Sequence, residues 1–118
     1  MSIALDGTNG VTFNNGSTQA QSAGLGSSAT AQTWQNVTAS RAGGTTYTNS
    51  TGYPIEVCVT SGGNNNFTFS INGTVIRTIS GYGGAGGMAY SGSIIVPNGA
   101  TYLVTLNSTS ISTWFELR

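Results

Sequence analysis

The sequence contains no histidine and no lysine among its 118 residues. This absence removes the commonest general base, the amine that forms Schiff bases and the commonest metal ligand. Asp6, Glu56 and Glu116 are far apart in the sequence, whereas a glycosidase needs two carboxylates within about 5 to 10 Å. We expect no enzymatic activity, no cofactor and no metal, with each acid an exposed or salt-bridged strand residue. An acidic site shared between subunits is the alternative.

Charged side chains are scarce, at 5% of the chain against about 25% in an average protein. Arg41, Arg77 and Arg118 balance three acids, so the net charge is zero. Because there is no basic patch, we do not expect binding to nucleic acid. The chain also lacks an apolar run long enough to span a bilayer and a secretory signal. We therefore expect neither membrane insertion nor export from the cytoplasm in which the protein is made.

A single cysteine, Cys58, excludes an intrachain disulfide framework. It lies in the strand-like run PIEVCVT, where we expect a buried free thiol that acts as a small apolar side chain rather than a reactive group. Strong helix formers are also rare, since the chain has no Lys and few Glu. No segment therefore predicts a helix.

Short runs of β-branched and aromatic residues, separated by Gly, Asn and Ser, dominate the chain instead. From about Trp34 to Arg118 they predict an all-β fold, an antiparallel β-sandwich of the jelly-roll type. Asn72-Gly73 is the strongest short hairpin signal, and Asn98-Gly99 marks another tight turn. The candidate strands are IALD, GVTFN, TWQNVTAS, TTYTN, PIEVCVT, FTFSIN, TVIRTIS, AYSGSIIVP, TYLVTLN and ISTWFELR.

Alternation along four of these strands predicts which side chains share a face. The sets are Ile55, Val57 and Val59; Phe67, Phe69 and Ile71; Tyr102, Val104 and Leu106; and Ile111, Thr113, Phe115 and Leu117. On this pattern Phe115 is the core residue of the last strand. Trp114 then faces the outside or a neighbouring subunit.

The opening segment has too few apolar side chains to form a core of its own, so it is either disordered or ordered by something outside the chain. We favour the second interpretation. Residues 1–32 would be an N-terminal arm and connector, and residues 33–118 the sandwich domain. The arm would pair strands between chains and bury its apolar side chains against other copies. These side chains are Ile3, Leu5, Val11 and Phe13, and AGLGSSATAQ would be the connector.

Tyr47, Tyr53, Tyr82 and Tyr90 lie in or beside predicted turns and are our candidate ligand-binding residues. Tyr82 belongs to SGYGGAGGMAYSG, residues 80–92, which is either a mobile loop or a surface that permits close backbone approach. Rings among Asn, Ser and Thr suit carbohydrate recognition, because a sugar presents an apolar face and neutral hydroxyls. The alternative is that the rings cap the core or line a subunit interface.

The opening ALDGTNGVTFNNGSTQAQSA resembles the segments that precede the C-terminal domains of bacteriophage tail-fibre and related tail proteins. The remainder is similar to a small β-sandwich domain that ends such proteins. Its most specific pieces are TYTNSTGYPI, VPNGATY and the terminal WFELR. The resemblance spans nearly the whole chain, and we expect at most a vestige of the long upstream shaft that such proteins often carry.

The resemblance implies a homotrimer located in the virion and joined to other virion proteins through the N-terminal arm. It also implies that sandwich loops far from Met1 bind a host receptor. The candidate tyrosines described above indicate that this receptor is a glycan. The alternative is a purely structural virion component, such as a head fibre or capsid decoration protein. An enzyme that degrades surface polysaccharide is more remote, because the catalytic side chains are missing.

Overall fold

In a computed structural model, the chain divides into two units, Met1–Gln32 and Thr33–Arg118. Each unit is described by itself. The residues that the structure describes are 4–6, 10–12, 14–16, 18–19, 31–63, 66–81, 87–107 and 110–118.

The first unit contains a small antiparallel sheet in the order β1-β2-β3. Its strands are β1 (Ala4–Asp6), β2 (Gly10–Thr12) and β3 (Thr18–Gln19). Strands β1 and β2 thus pair within one chain, and pairing between chains stays a prediction. Ile3, Phe13 and residues 23–30 of the expected connector lie outside the described residues.

The second unit is all-β, as the sequence predicts, apart from a 3-10 turn at Thr38–Ser40. Two antiparallel four-stranded sheets pack together: sheet I in the order β5-β10-β7-β8 and sheet II in the order β4-β11-β6-β9. The strands are β4 (Trp34–Asn36), β5 (Thr46–Thr48), β6 (Ile55–Ser61), β7 (Phe67–Ile71), β8 (Thr74–Ile79), β9 (Ser91–Val96), β10 (Thr101–Leu106) and β11 (Ile111–Leu117).

The strand pairs show that the sandwich is one long β-hairpin folded over on itself. Strand β7 pairs with β8, β6 with β9, β5 with β10 and β4 with β11. The tip of this long hairpin is Asn72-Gly73, whose φ angles of 48° and 80° are those that a tight hairpin turn requires. Reciprocal backbone hydrogen bonds of 3.0 and 3.1 Å between Thr33 and Arg118 close its other end. This nested pairing is that of a jelly roll.

The core lies between the two sheets and follows the predicted alternation on three strands. Ile55, Val57 and Val59 are fully buried, and Ile71 and Leu106 pack against the core. These positions confirm the predicted faces of β6, β7 and β10. The buried apolar side chains are Ile55, Val57, Val59, Phe67, Phe69, Ile94, Val96, Ala100, Tyr102, Val104 and Trp114.

The predicted faces of the last strand are wrong beyond its start. Ile111 pairs with Ser61 and packs against the core, but Thr113 already pairs with Thr60, so Ser112 is an extra residue in a β-bulge. One inserted residue reverses the alternation that follows it. Trp114 and Glu116 are therefore fully buried, and Phe115 and Leu117 lie half-buried on the outer face.

The prediction of a core thiol at Cys58 is also wrong. Cys58 alternates with the buried valines of β6 and lies half-buried on the outer face of sheet II, opposite Phe115. Partial burial, assisted by the negative charge of Glu56, raises the pKa of the thiol. Since the thiolate is the nucleophile, the raised pKa makes this cysteine less reactive at neutral pH than an ordinary exposed thiol.

Replacement of Trp114 by alanine should destabilise the protein by about 3 to 5 kcal/mol, because it empties a fully buried site between the sheets. Phe115→Ala is the matched control and should cost no more than about 2 kcal/mol, because this ring is only half-buried. Chemical denaturation of both variants measures the difference. Equal losses, or a larger loss for Phe115→Ala, would contradict the bulged register.

Candidate functional site

The loops of the sandwich lie at two opposite ends. The proximal end holds residues 49–54, 72–73 and 97–100, together with Thr33 and Arg118. The distal end holds the described loop residues 43–45, 62–63, 66, 80–81, 87–90, 107 and 110. The described loop residues of the glycine-rich stretch, 80–81 and 87–90, therefore lie at the end away from Thr33, through which the chain enters the sandwich.

Tyr53 lies at the proximal end in a loop ordered by the buried Asn49. The Asn49 amide nitrogen donates to the carbonyl oxygens of Tyr53 (2.7 Å) and Val96 (3.0 Å). Its amide oxygen accepts from the backbone nitrogen (3.2 Å) and hydroxyl (2.7 Å) of Thr51. Gly52 donates to the Asn98 side chain at 3.0 Å. Tyr53 is consequently held close to the turn that leads into β10.

Tyr47 packs beside the core rather than in an exposed turn. Its ring meets Trp114 edge to face at 5.9 Å and Tyr102 at 5.8 Å between centroids. The Arg41 guanidinium lies 4.6 Å from the ring centre, and the Tyr47 hydroxyl accepts a 2.9 Å hydrogen bond from the Ala42 backbone. This is the core-capping alternative that the sequence left open for the tyrosines.

Tyr90 lies at the distal end, half-buried against the core. Its backbone exchanges hydrogen bonds with Ser61, which donates from its backbone nitrogen (2.9 Å) and accepts at its hydroxyl (3.2 Å). A Cβ atom at Gly81 would overlap the Tyr90 ring, so glycine is needed there for the ring to approach the backbone. Tyr82 lies outside the described residues. The three described candidates thus occupy three separate places.

A recess of about 190 Å³ opens at the distal end of sheet I. Three threonines stand side by side on the outer face there, because Thr105 pairs with Thr68 and Thr68 pairs with Thr78. Sequence reasoning missed this group, since its members come from three different strands. The available signal was a threonine next to the distal-end residue of each of the runs FTFSI, TVIRTI and TYLVTL. The lining residues are Asn66, Phe67, Thr68, Thr78, Thr105, Leu106 and Asn107.

A charged cluster lies between the sheets around the fully buried Glu116 carboxylate. Arg41 donates to both carboxylate oxygens, at 2.9 and 3.1 Å, and Arg118 donates to Oε2 at 3.1 Å. The Tyr102 hydroxyl (2.7 Å) and the Trp114 indole nitrogen (3.2 Å) donate to Oε1. Glu116 is salt-bridged, as one expectation held, but it is not exposed. With five donors on its two oxygens, this carboxylate is committed to structure.

The pKa values in this cluster follow from its geometry. Burial opposes ionisation of Glu116, but hydrogen bonds from Arg41 and Tyr102, with the nearby arginine charges, outweigh it and lower the pKa of Glu116. Burial, and then the hydrogen bond to Glu116, raises the pKa of Tyr102 to about 12. At neutral pH the pair is therefore a carboxylate and a neutral phenol that donates to it.

Two further features bear on function. The part of the chain that the structure describes contains no group of three or more acidic or cysteine side chains arranged to hold a metal ion. Among the same residues, no helix combines the length and apolar character needed to cross a membrane.

The stability of the protein should fall as the pH drops through the lowered pKa of Glu116. The unfolded chain takes up this proton near the usual value of 4.5, so the stabilisation is complete above about pH 5 and is lost on acidification. Glu116→Gln should lose about 3 kcal/mol at neutral pH, because two arginines lose their partner. It should also lose most of the acid dependence.

Urea denaturation at a series of pH values measures both effects. Glu56→Gln is the matched control, because it removes a carboxylate from the outer face of β6 and should retain the acid transition. An unchanged acid profile in Glu116→Gln would contradict the assignment.

Comparison with protein-family models, with curated proteins and with solved structures finds no match to this chain. Its function is therefore inferred from its residues and their arrangement.

Proposed function

We propose that the protein is a bacteriophage virion component, at the tail fibre or tail tip, whose sandwich binds a receptor on the host surface. The receptor is a glycan, recognised at the distal end by a homotrimer. The arm, residues 1–32, joins the trimer to other virion proteins.

The observation that carries this proposal is the neutral, hydroxyl- and amide-rich distal end. No charged residue occurs between Thr78 and Phe115, a segment that includes the glycine-rich loop, or between Val57 and Ile76. Tyr90, Asn66 and the threonine row face this end from separate strands and loops. Neutral hydroxyls and amides are the partners that sugar hydroxyls require.

Binding through neutral groups has two physical consequences. Each site is weak, since a hydrogen bond exchanged with water adds only about 1 kcal/mol. Three sites on one trimer raise the effective affinity, because the second and third contacts form within an already tethered complex. Because ions screen charges and not neutral contacts, binding is insensitive to salt.

The alternative is a purely structural virion component, whose function would consist of protein contacts such as those that a row of four paired residues on the outer face of sheet II could make. Trp34 pairs with Leu117, Leu117 with Glu56, and Glu56 with Ile95. Trp34 is 51% exposed and Ile95 is 45% exposed. Trp34 and Ile95 lie on the two edge strands of sheet II, with Leu117 and Glu56 between them, and exposed apolar side chains on one face are typical of protein contacts. This row is our proposed contact between copies, under either function.

Adsorption to bacterial cells should depend on the distal end and not on salt. Tyr82→Ala should reduce adsorption several-fold, because it removes a stacking ring from the glycine-rich loop. Tyr53→Ala, at the proximal end, is the control and should adsorb like the wild type. The measurement is depletion of labelled protein by a panel of strains at low and high ionic strength.

Loss of adsorption in Tyr53→Ala alone would move the site to the proximal end. A wild-type protein that adsorbs to no strain would favour the structural alternative.

The protein should be a trimer at micromolar concentration, and Trp34→Ser should shift it toward monomer. The ring is half-exposed, so the sandwich should stay folded and lose no more than about 2 kcal/mol. Sedimentation equilibrium measures the mass, and circular dichroism checks the fold. Val75→Ser on the edge strand β8, 57% exposed, is the control and should remain trimeric. A monomeric wild type would rule out the trimer.

A further inference from the structure

We infer that the threonine–asparagine recess at the distal end of sheet I is a binding site for a single neutral sugar ring. The inference rests on the proposed function, because it names the part of the sandwich that would contact the receptor. It is carried by the register of three strands, by the hydrogen bonds that fix the recess rim and by the uncharged lining.

The register places three equivalent groups in one line. Thr105 on β10, Thr68 on β7 and Thr78 on β8 are direct cross-strand partners on the outward face. Directly paired positions on neighbouring strands have Cβ atoms about 5 Å apart, a spacing that alternate hydroxyls of a sugar ring can span although neighbouring ones cannot. Within the described part of the chain, no hydrogen bond occupies the three threonine hydroxyls. Each can both donate and accept, as a sugar hydroxyl does.

Asn66 fixes the rim of the recess before any ligand arrives. Its side-chain oxygen accepts from the Gly81 backbone at 2.8 Å, and its carbonyl accepts from the Asn107 backbone at 3.2 Å. These bonds join the ends of β7, β8 and β10. Because the oxygen is held by Gly81, the amide nitrogen of Asn66 is the group left to donate to a ligand. A site ordered in advance loses less entropy on binding.

The uncharged lining of the recess favours a neutral ligand. None of the seven lining residues is charged. Arg77 is next to Thr78 in the chain, but it pairs with the core residue Phe69 and donates to the carbonyl of Ser93 at 2.9 Å. An ionic ligand would lose water in the recess without gaining an opposite charge, which is unfavourable. A neutral ligand with several hydroxyls loses water and regains hydrogen bonds.

The volume of the recess favours a small ligand. At about 190 Å³ the recess is below the range of about 300 to 1,000 Å³ that holds drug-sized molecules. One pyranose ring fits this size, and the open side at the exposed Thr78, Thr105 and Asn107 lets a longer chain continue into solvent. The recess would therefore hold one residue of a glycan.

The test is an amide NMR titration of the full-length protein with glucose, galactose, mannose, rhamnose and N-acetylglucosamine. Sorbitol, an open-chain polyol, is the control ligand. We expect at least one sugar to bind at millimolar concentration and to shift the amides of Thr68, Thr78 and Thr105. Sorbitol should cause no comparable shifts.

Thr105→Val should weaken this binding about fivefold, since it removes one hydroxyl and keeps the shape of the side chain. Thr78→Val, on the edge strand, is a second variant with the same expected effect. Thr48→Val is the matched control, because Thr48 is an exposed threonine of sheet I at the proximal end. It should change the affinity by less than about twofold.

The outcomes separate this inference from the proposed function. Any of four results would rule out the recess as the sugar-binding site. These are amide shifts confined to other regions, equal shifts with sorbitol, an unchanged sugar affinity in Thr105→Val, and no shifts with any sugar. If Thr105→Val adsorbs to cells as well as the wild type does, the protein still binds a receptor, but the receptor site lies outside the recess. If the wild type adsorbs to no strain but the sugars shift these amides, the recess is a sugar-binding site and the proposed function is wrong.

Discussion

The fold depends on the neutralisation of one buried carboxylate. Glu116 belongs to sheet II, and its Oε1 accepts from Tyr102 of sheet I, so the carboxylate joins the two sheets directly. Arg41 and Arg118 complete its ion pairs, and these three residues are half of the chain's charged side chains. A buried charge is favourable only when it is fully paired, so any slip of β11 that moved Glu116 would be strongly unfavourable. The cluster therefore fixes the register of the last strand as much as it adds stability.

The same constraint determines what the rest of the surface can do. With Arg41, Glu116 and Arg118 used between the sheets, Arg77 and Glu56 are the remaining charged residues of the sandwich, and neither lies in the distal loops. The nested hairpin then places the described loop residues 80–81 and 87–90 of the glycine-rich segment at the end away from Thr33. A neutral end carrying hydroxyls, amides and tyrosine suits an uncharged ligand, which is the physical basis of the proposed glycan receptor.

Local patterns predicted the parts of the fold that depend on neighbouring residues. The alternation of Ile55, Val57 and Val59 and the Asn72-Gly73 turn need only a few residues of context, and both are confirmed. The bulge at Ser112 has no such signal, so the alternation pattern assigned Phe115 to the core and Trp114 to the outer face, the reverse of their positions in the structure. Burial of Glu116 depends on Arg41, which lies 75 residues away. The recess likewise depends on the register of three strands, which no single segment contains.

The central claim is that a neutral surface at the distal end contacts the host glycan. Hydrogen–deuterium exchange of the full-length protein tests it most directly, with and without polysaccharide purified from a strain that the protein adsorbs to. We predict added protection in residues 66–68, 78–81 and 105–107, with exchange in residues 49–54 and 97–100 unchanged. Protection confined to the proximal residues, or no protection anywhere, would contradict the claim.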